Sequence, residues 1–197
     1  MPQSLTQIYI HLIFSTKHRK PFLGDLDFRT RTHAYLAGIC KNLGCPAVTI
    51  GGTEDHVHIL CRFGKTTSIA DLVRDLKRDS SKWTKDQQPR LADFHWQQGY
   101  GAFSISPSHA DALKAYIANQ PEHHRRVTFQ EEFRRICRKY GVEIDERYVW
   151  DQPHAVVKPL RGLRAFGARS PGVRCATPGC DIPRLRREDV SSLSVVV

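Results

Sequence analysis

The sequence predicts an α+β fold: an antiparallel sheet with helices on one face and the other face left open to carry the chemistry. Three observations lead there. Short β-branched and aromatic runs alternate with longer stretches of helical periodicity. Turn residues stand at the joints, with Gly44 after the first helical stretch and Gly51-Gly52, Glu54-Asp55 between two strands. The resulting order, strand-helix-strand-strand-helix-strand and then two more helices, begins with the ferredoxin-like (RRM-like) arrangement.

Residues 8–15 (Ile-Tyr-Ile-His-Leu-Ile-Phe-Ser) form a buried strand by composition, and Lys17, His18, Arg19 and Lys20 follow as a basic cluster. Residues 27–43 read as a helix with Phe28, Tyr35, Leu36, Ile39 and Leu43 on one face. Residues 47–50 and 56–63 make a hairpin. A second helix, 69–85, buries Ile69, Leu72, Val73, Leu76 and Trp83 and sets Arg74, Lys77, Arg78, Lys82 and Lys85 along another face. Such a stripe is either a solvated face or a surface for phosphates. A fourth strand, 95–106, carries Trp96, Tyr100 and Phe103, which suit base stacking and core packing equally. Gly99 and Gly101 within it mark a bulge or a close approach of another backbone. Ser108 to Asp111 resembles a capping box opening a third helix that Pro121 ends. A last helix carries Phe129, Phe133, Ile136 and Tyr140 and stops at Gly141.

At 197 residues the chain suits one domain, 1–151, and an appendage, 152–197, rich in Pro, Arg, Gly and Ser, without periodicity and expected to be a flexible basic tail. Net charge is +10, divided +6 and +4 between residues 1–150 and the rest. That balance favours a polyanion, nucleic acid first and an acidic membrane surface second. The six cysteines, several inside apolar runs, form no secreted disulfide framework, and the Cys175–Cys180 spacing lacks the second pair that a zinc site needs. No signal peptide opens the chain and no apolar run approaches the roughly 18 residues of a membrane span, so a soluble cytoplasmic protein is expected.

The chemistry centres on Asp55-His56-Val57-His58. Side chains two apart on a strand share a face, so His56 and His58 stand side by side and can hold one divalent metal. The plain alternative is a pair of histidines hydrogen-bonded at a strand edge. An amide such as that of Gln120 suits as a further ligand, and one helical turn before it stands Tyr116. A metal beside a phenol can break a phosphodiester by covalent catalysis, the cation drawing charge from a non-bridging oxygen while the phenolate attacks phosphorus.

At these residues the sequence resembles the single-tyrosine HUH transposases of the IS-two-hundred/six-hundred-five type. The match rests on Asp55-His56-Val57-His58 and on Tyr116-Ile117-Ala118-Asn119-Gln120-Pro121-Glu122-His123-His124. It is supported by the stretches 77–83, 96–104 and 129–133, and covers roughly residues 5 to 151. The resemblance implies a homodimer whose active sites can be shared between subunits, Tyr116 as nucleophile, and His56, His58 and Gln120 on Mg²⁺ or Mn²⁺. It implies single-stranded DNA hairpins at transposon ends as substrate, cut through a 5′-phosphotyrosine and rejoined by the freed 3′-hydroxyl. By ligand type alone, two imidazoles suit Mn²⁺ or Zn²⁺ better than Mg²⁺. Arg74, Lys77, Arg78 and Lys82 are the expected DNA contacts. Rival classes are a non-catalytic hairpin-binding regulator, a domesticated nickase of repetitive hairpins and a metal-dependent hydrolase of small phosphate esters. The tail extends past the family pattern.

Overall fold

The computed structural model describes residues 5–150. Its axis is β1 (Tyr9–Ser15), which pairs antiparallel with β3 (His56–Arg62) on one side and β4 (Gly101–Ile105) on the other. At the far edge β2 (Ala47–Gly52) pairs with β3, giving the order β2-β3-β1-β4. The α+β class and the ferredoxin-like order expected from the sequence are both present.

On one face Ile10, Leu12 and Phe14 of β1 and Val57, Ile59 and Cys61 of β3 meet α1 (Leu26–Asn42) and α2 (Ile69–Gln87) through Leu36, Ile39, Leu72 and Leu76. Asp25 caps α1 by accepting the Phe28 N–H at 2.9 Å, and Ser68 caps α2 by accepting that of Asp71 at 3.0 Å. Gly44 closes α1 in the left-handed region, φ 69°.

The other face departs from expectation. It is not open but roofed by α3 (Ala110–Ala118), α4 (Gln120–His123), α5 (Phe129–Lys139) and α6 (Glu146–Val149). Phe129, Phe133, Val149 and Trp150 pack on Ile13 and Phe103, and Ile117 on Leu60 and Ile105. The physical reason lies in β1: it is buried from Ile10 to Ser15, and such an unbroken run is the mark of a strand covered on both sides.

Two smaller differences shape the site. The stretch read as one strand, 95–106, is divided: Trp96 makes an isolated bridge to Thr16, and β4 starts only at Gly101. Trp96 and Phe103 are core residues, whereas Tyr100 is exposed. Ser108 is not a helix cap, since its hydroxyl engages Ser106 and His109, and a 3-10 turn (Pro107–His109) leads into α3. That helix ends at Ala118, and Pro121, expected to stop it, sits instead in the first turn of α4. Cys40, Cys45, Cys61 and Cys137 are free and buried. No helix among the described residues is long and apolar enough to cross a membrane. The basic tail expected at 152–197 lies outside the described residues.

Candidate functional site

β3 delivers His56 and His58 to the roofed face, both fully buried, with ring centroids 5.2 Å apart. Each has its outward nitrogen engaged. His56 Nδ1 lies 2.7 Å from Asp55 Oδ1, which as a carboxylate only accepts, so Nδ1 carries the proton and Nε2 faces inward as a lone pair. His58 Nδ1 lies 2.9 Å from Nε2 of His11, its neighbour on β1. Burial lowers His58 to about 4 and His11 to about 3, so both are neutral at pH 7. The inward His58 Nε2 has no hydrogen-bond partner among the described residues.

α3 brings the phenol. Ile117 is wedged over Leu60 and Ile105, and Tyr116 beside it stands edge-on to His58 with centroids 6.2 Å apart. This approach depends on Gly51 of β2, the residue paired with His58, because a Cβ there would overlap the Ile117 carbonyl and side chain. Gln120 follows across the break at Asn119 and is fully buried. Its Oε1 lies 3.5 Å from His56 Nε2.

α5 supplies the centre of the cluster, which sequence reading missed. Thr128 and Glu131 form a capping box at its start, and Glu132 then projects inward, 2% exposed. Glu132 Oε1 accepts a short hydrogen bond from the Tyr116 hydroxyl and another, 2.8 Å, from Gln120 Nε2. Its Oε2 stands 3.1 Å from His124 Nε2 and 3.4 Å from His58 Nε2. Burial would raise this carboxyl, but the hydrogen bonds from His124 and Tyr116 and the nearby His58 imidazole outweigh it and hold Glu132 well below the usual carboxylate range. Burial, reinforced by Glu132, pushes the Tyr116 phenol up. A sequence signal did exist: Glu132 falls on the apolar stripe of Phe129, Phe133 and Ile136, where a carboxylate is out of place unless partnered.

His56, His58, His124 and Glu132 each offer one donor atom, all within 4.8 Å of one another. The orphaned, buried His58 nitrogen and this nitrogen-and-carboxylate set fit a divalent cation. Beyond Tyr116 a cleft of about 700 Å³ runs past Arg135, Lys139 and Tyr140.

The α2 stripe lies on the opposite face of the sheet from Tyr116, with its helix in the other core. Lys77 is turned inward, donating to the carbonyls of Gln97, Gln98 and Gly99 at 2.7, 3.1 and 2.7 Å. Arg74 pairs with Asp71 and Asp75, Arg78 with Asp75 and Asp79, and Lys82 is exposed. Thus the structure gathers Tyr116, His56, His58 and Gln120 and sets the four basic residues apart from them.

The family profile described as Transposase IS200 like matches residues 4–120. Among solved structures, a protein of Deinococcus radiodurans R1 assigned as a transposase is 25% identical with a TM-score of 0.50, the match covering 61% of this chain and 95% of that one. A REP-associated tyrosine transposase bound to a REP hairpin is 13% identical with a TM-score of 0.48, over 85% of this chain and 98% of that one. No curated protein matches the chain. The matched residues span well over half of the sequence and include the whole sheet, the imidazole pair, Tyr116 and Gln120, and the chain belongs to the IS200-like transposase family.

Proposed function

We propose that the chain cuts and rejoins single-stranded DNA at hairpin-bearing transposon ends. Tyr116 is the nucleophile, and His56, His58 and Gln120 hold Mg²⁺ or Mn²⁺. The observation that carries this reading is the juxtaposition of Tyr116 with the inward His58 nitrogen, 6.2 Å between rings, inside one chain. The Tyr116 oxygen attacks phosphorus and the bond to the 3′-oxygen breaks. The phenol proton ends on that leaving oxygen, giving a 5′-phosphotyrosine and a 3′-hydroxyl. Reversal by another 3′-hydroxyl rejoins strands without ATP, because the diester energy is kept. A bound cation would supply positive charge to a non-bridging phosphate oxygen. The residues of this chain orient the phenol through Glu132 and exclude water beneath the α3–α5 roof.

The cleft beside Tyr116 suits the strand at the cut, since Arg135 and Lys139 on its wall are exposed and make no ion pair among the described residues. Arg74, Arg78 and Lys82 are proposed as weaker contacts, because the arginines must first give up their aspartates. Lys77, spent on three carbonyls, leaves that set. The homodimer implied by the family resemblance would exchange strands between two sites, each with its own Tyr116.

The test uses the full chain, Mn²⁺ and 3′-labelled single-stranded DNA from a pool of hairpins with randomised flanks. A denaturation-resistant protein–DNA band is expected, lost in Tyr116→Phe while hairpin affinity stays. Binding without any band in the wild type would instead make the protein a hairpin-binding regulator.

A further inference from the structure

We propose that His124 and Glu132 complete the cation site, and that Glu132, holding Tyr116 with its other oxygen, ties the cation to the nucleophile. This rests on the reading of Tyr116 given above and changes the ligand set that goes with it.

Three features carry it. The first is a common orientation of the imidazoles. His124 Nδ1 lies 2.8 Å from the Val127 carbonyl, which can only accept, so the Nδ1 proton is fixed there and Nε2 points at Glu132. His56 is held the same way by Asp55, and His58 is held through His11. His58 and His124 thus turn their Nε2 atoms to one carboxylate, and that of His56 faces the Gln120 oxygen in the same cluster. Each ring is held by a partner on its far side, which is how proteins orient metal-binding histidines.

The second is the environment of the carboxylate. Glu132 is almost fully buried, and among the described residues no Lys or Arg pairs with it. A buried negative charge requires a compensating positive one. In the metal-free chain His124, both of whose nitrogens face acceptors, offers it as an imidazolium, and a divalent ion bound in place of that proton supplies it more fully. The third is the division of labour between the two oxygens. Oε2 faces His58 and His124, whereas Oε1 accepts from Tyr116 and Gln120. One buried side chain would therefore hold a cation with one oxygen while it orients the phenol with the other, and the Gln120 amide braces it.

Three imidazoles and a carboxylate favour Mn²⁺, Co²⁺ or Zn²⁺ over Mg²⁺, which prefers an all-oxygen shell. His124 is then a ligand alone, and Glu132 both a ligand and the positioning residue for Tyr116.

The experiment loads the metal-free full chain with Co²⁺ and reads its visible absorption, then titrates Mn²⁺ and follows adduct formation on the same DNA pool. The wild type should give the intense spectrum of a low-coordinate, nitrogen-rich site. Both His124→Gln and Glu132→Gln should weaken it and lower Mn²⁺ affinity at least tenfold. At saturating Mn²⁺ the His124→Gln rate should return to within a few-fold of wild type, whereas Glu132→Gln should stay slow by about a hundredfold, as expected for a misplaced nucleophile. An unchanged Co²⁺ spectrum and Mn²⁺ affinity in His124→Gln, which leaves the carboxylate in place, overturns the ligand set. A Glu132→Gln enzyme with wild-type melting that reaches full rate at saturating Mn²⁺ overturns the link to Tyr116. Either result leaves the nucleophile reading standing. That reading fails on a separate outcome, an adduct that persists in Tyr116→Phe.

Discussion

His11 makes no hydrogen bond to the Tyr116 phenol, yet the candidate site depends on it. Its Nε2 lies 2.9 Å from His58 Nδ1, so it decides which nitrogen of His58 is presented to the cluster. Replacing His11 by Phe keeps most of the ring volume and removes that partner. Mn²⁺ affinity should fall by about 10–100-fold, the usual effect of losing a group that orients a ligand. Calorimetric titration of the folded variant checks this, and an affinity within twofold of wild type would refute it. The same case shows what a sequence can reveal at this scale. His56 and His58 are legible because strand alternation fixes their common face, and Tyr116 and Gln120 because four residues is about one turn. His11 and His124 are not, because they meet the pair only through strand pairing and the docking of the helices over the sheet, and for Glu132 the one trace is its place on the apolar stripe of α5. Glu132 also reads as half of an ordinary acidic pair at a helix start, which is true only of Glu131.

At the scale of elements, two contacts set where things stand. Gly51 lets α3 settle onto β2, and any Cβ there would collide with backbone, which yields less readily than the end of a flexible side chain. Gly51→Ala should displace Tyr116 by some tenths of an ångström or more. It should slow adduct formation on the order of a hundredfold with hairpin binding retained. A rate within threefold of wild type, measured beside an unchanged circular dichroism spectrum, would show that α3 has freedom the packing denies. Lys77 is the second contact. Read as a phosphate ligand, it instead holds three carbonyls of the 97–99 loop and lies 5.1 Å above the Phe14 ring. Lys77→Met should cost about 1–3 kcal/mol in chemical denaturation, the range for losing hydrogen bonds to a charged group. It should leave the salt dependence of DNA binding alone. Arg135→Ala with Lys139→Ala should flatten that dependence by about 0.7 in slope for each contact to a single strand. Helical and strand periods were enough to find these elements. They could not say that a lysine on the α2 stripe turns inward, because that depends on where the loop before β4 runs.

The described residues form a sheet with helices on both faces, and the candidate site sits inside rather than on the surface. β1 is buried from Ile10 to Ser15, His11 and Ser15 included, which two covered faces require, whereas the strand and helix count alone suggested one. Interior histidines give the fold an acid limit. Burial lowers His11 to about 3, His58 to about 4 and His33, on α1, to about 4, against about 6.5 in an unfolded chain. Between pH 6.5 and 4 the unfolded chain therefore binds more protons than the folded one, and stability rises with pH across that window. Above 6.5 the contribution is fully present. As acid is added it is lost, each histidine adding at most about 1.4 kcal/mol per pH unit. His124 acts in the opposite sense: burial works against its charged form, but Glu132 raises it, so its contribution is present below 6.5 and fades as pH rises. That fading lies above 6.5, so between 6.5 and 4 the three lowered histidines set the slope, which is positive. Melting of the metal-free chain followed from pH 7.5 to 4.5 should fall continuously below about 6.5. His33→Gln, far from the cluster, should remove about a third of the fall, each group counting alike. Added Mn²⁺ should raise the melting temperature at pH 7.5 and progressively less toward pH 5, as protons compete for the same nitrogens. A melting temperature constant between pH 6.5 and 4.5 would mean that the interior imidazoles are solvated, and with that the buried cluster itself would be in error.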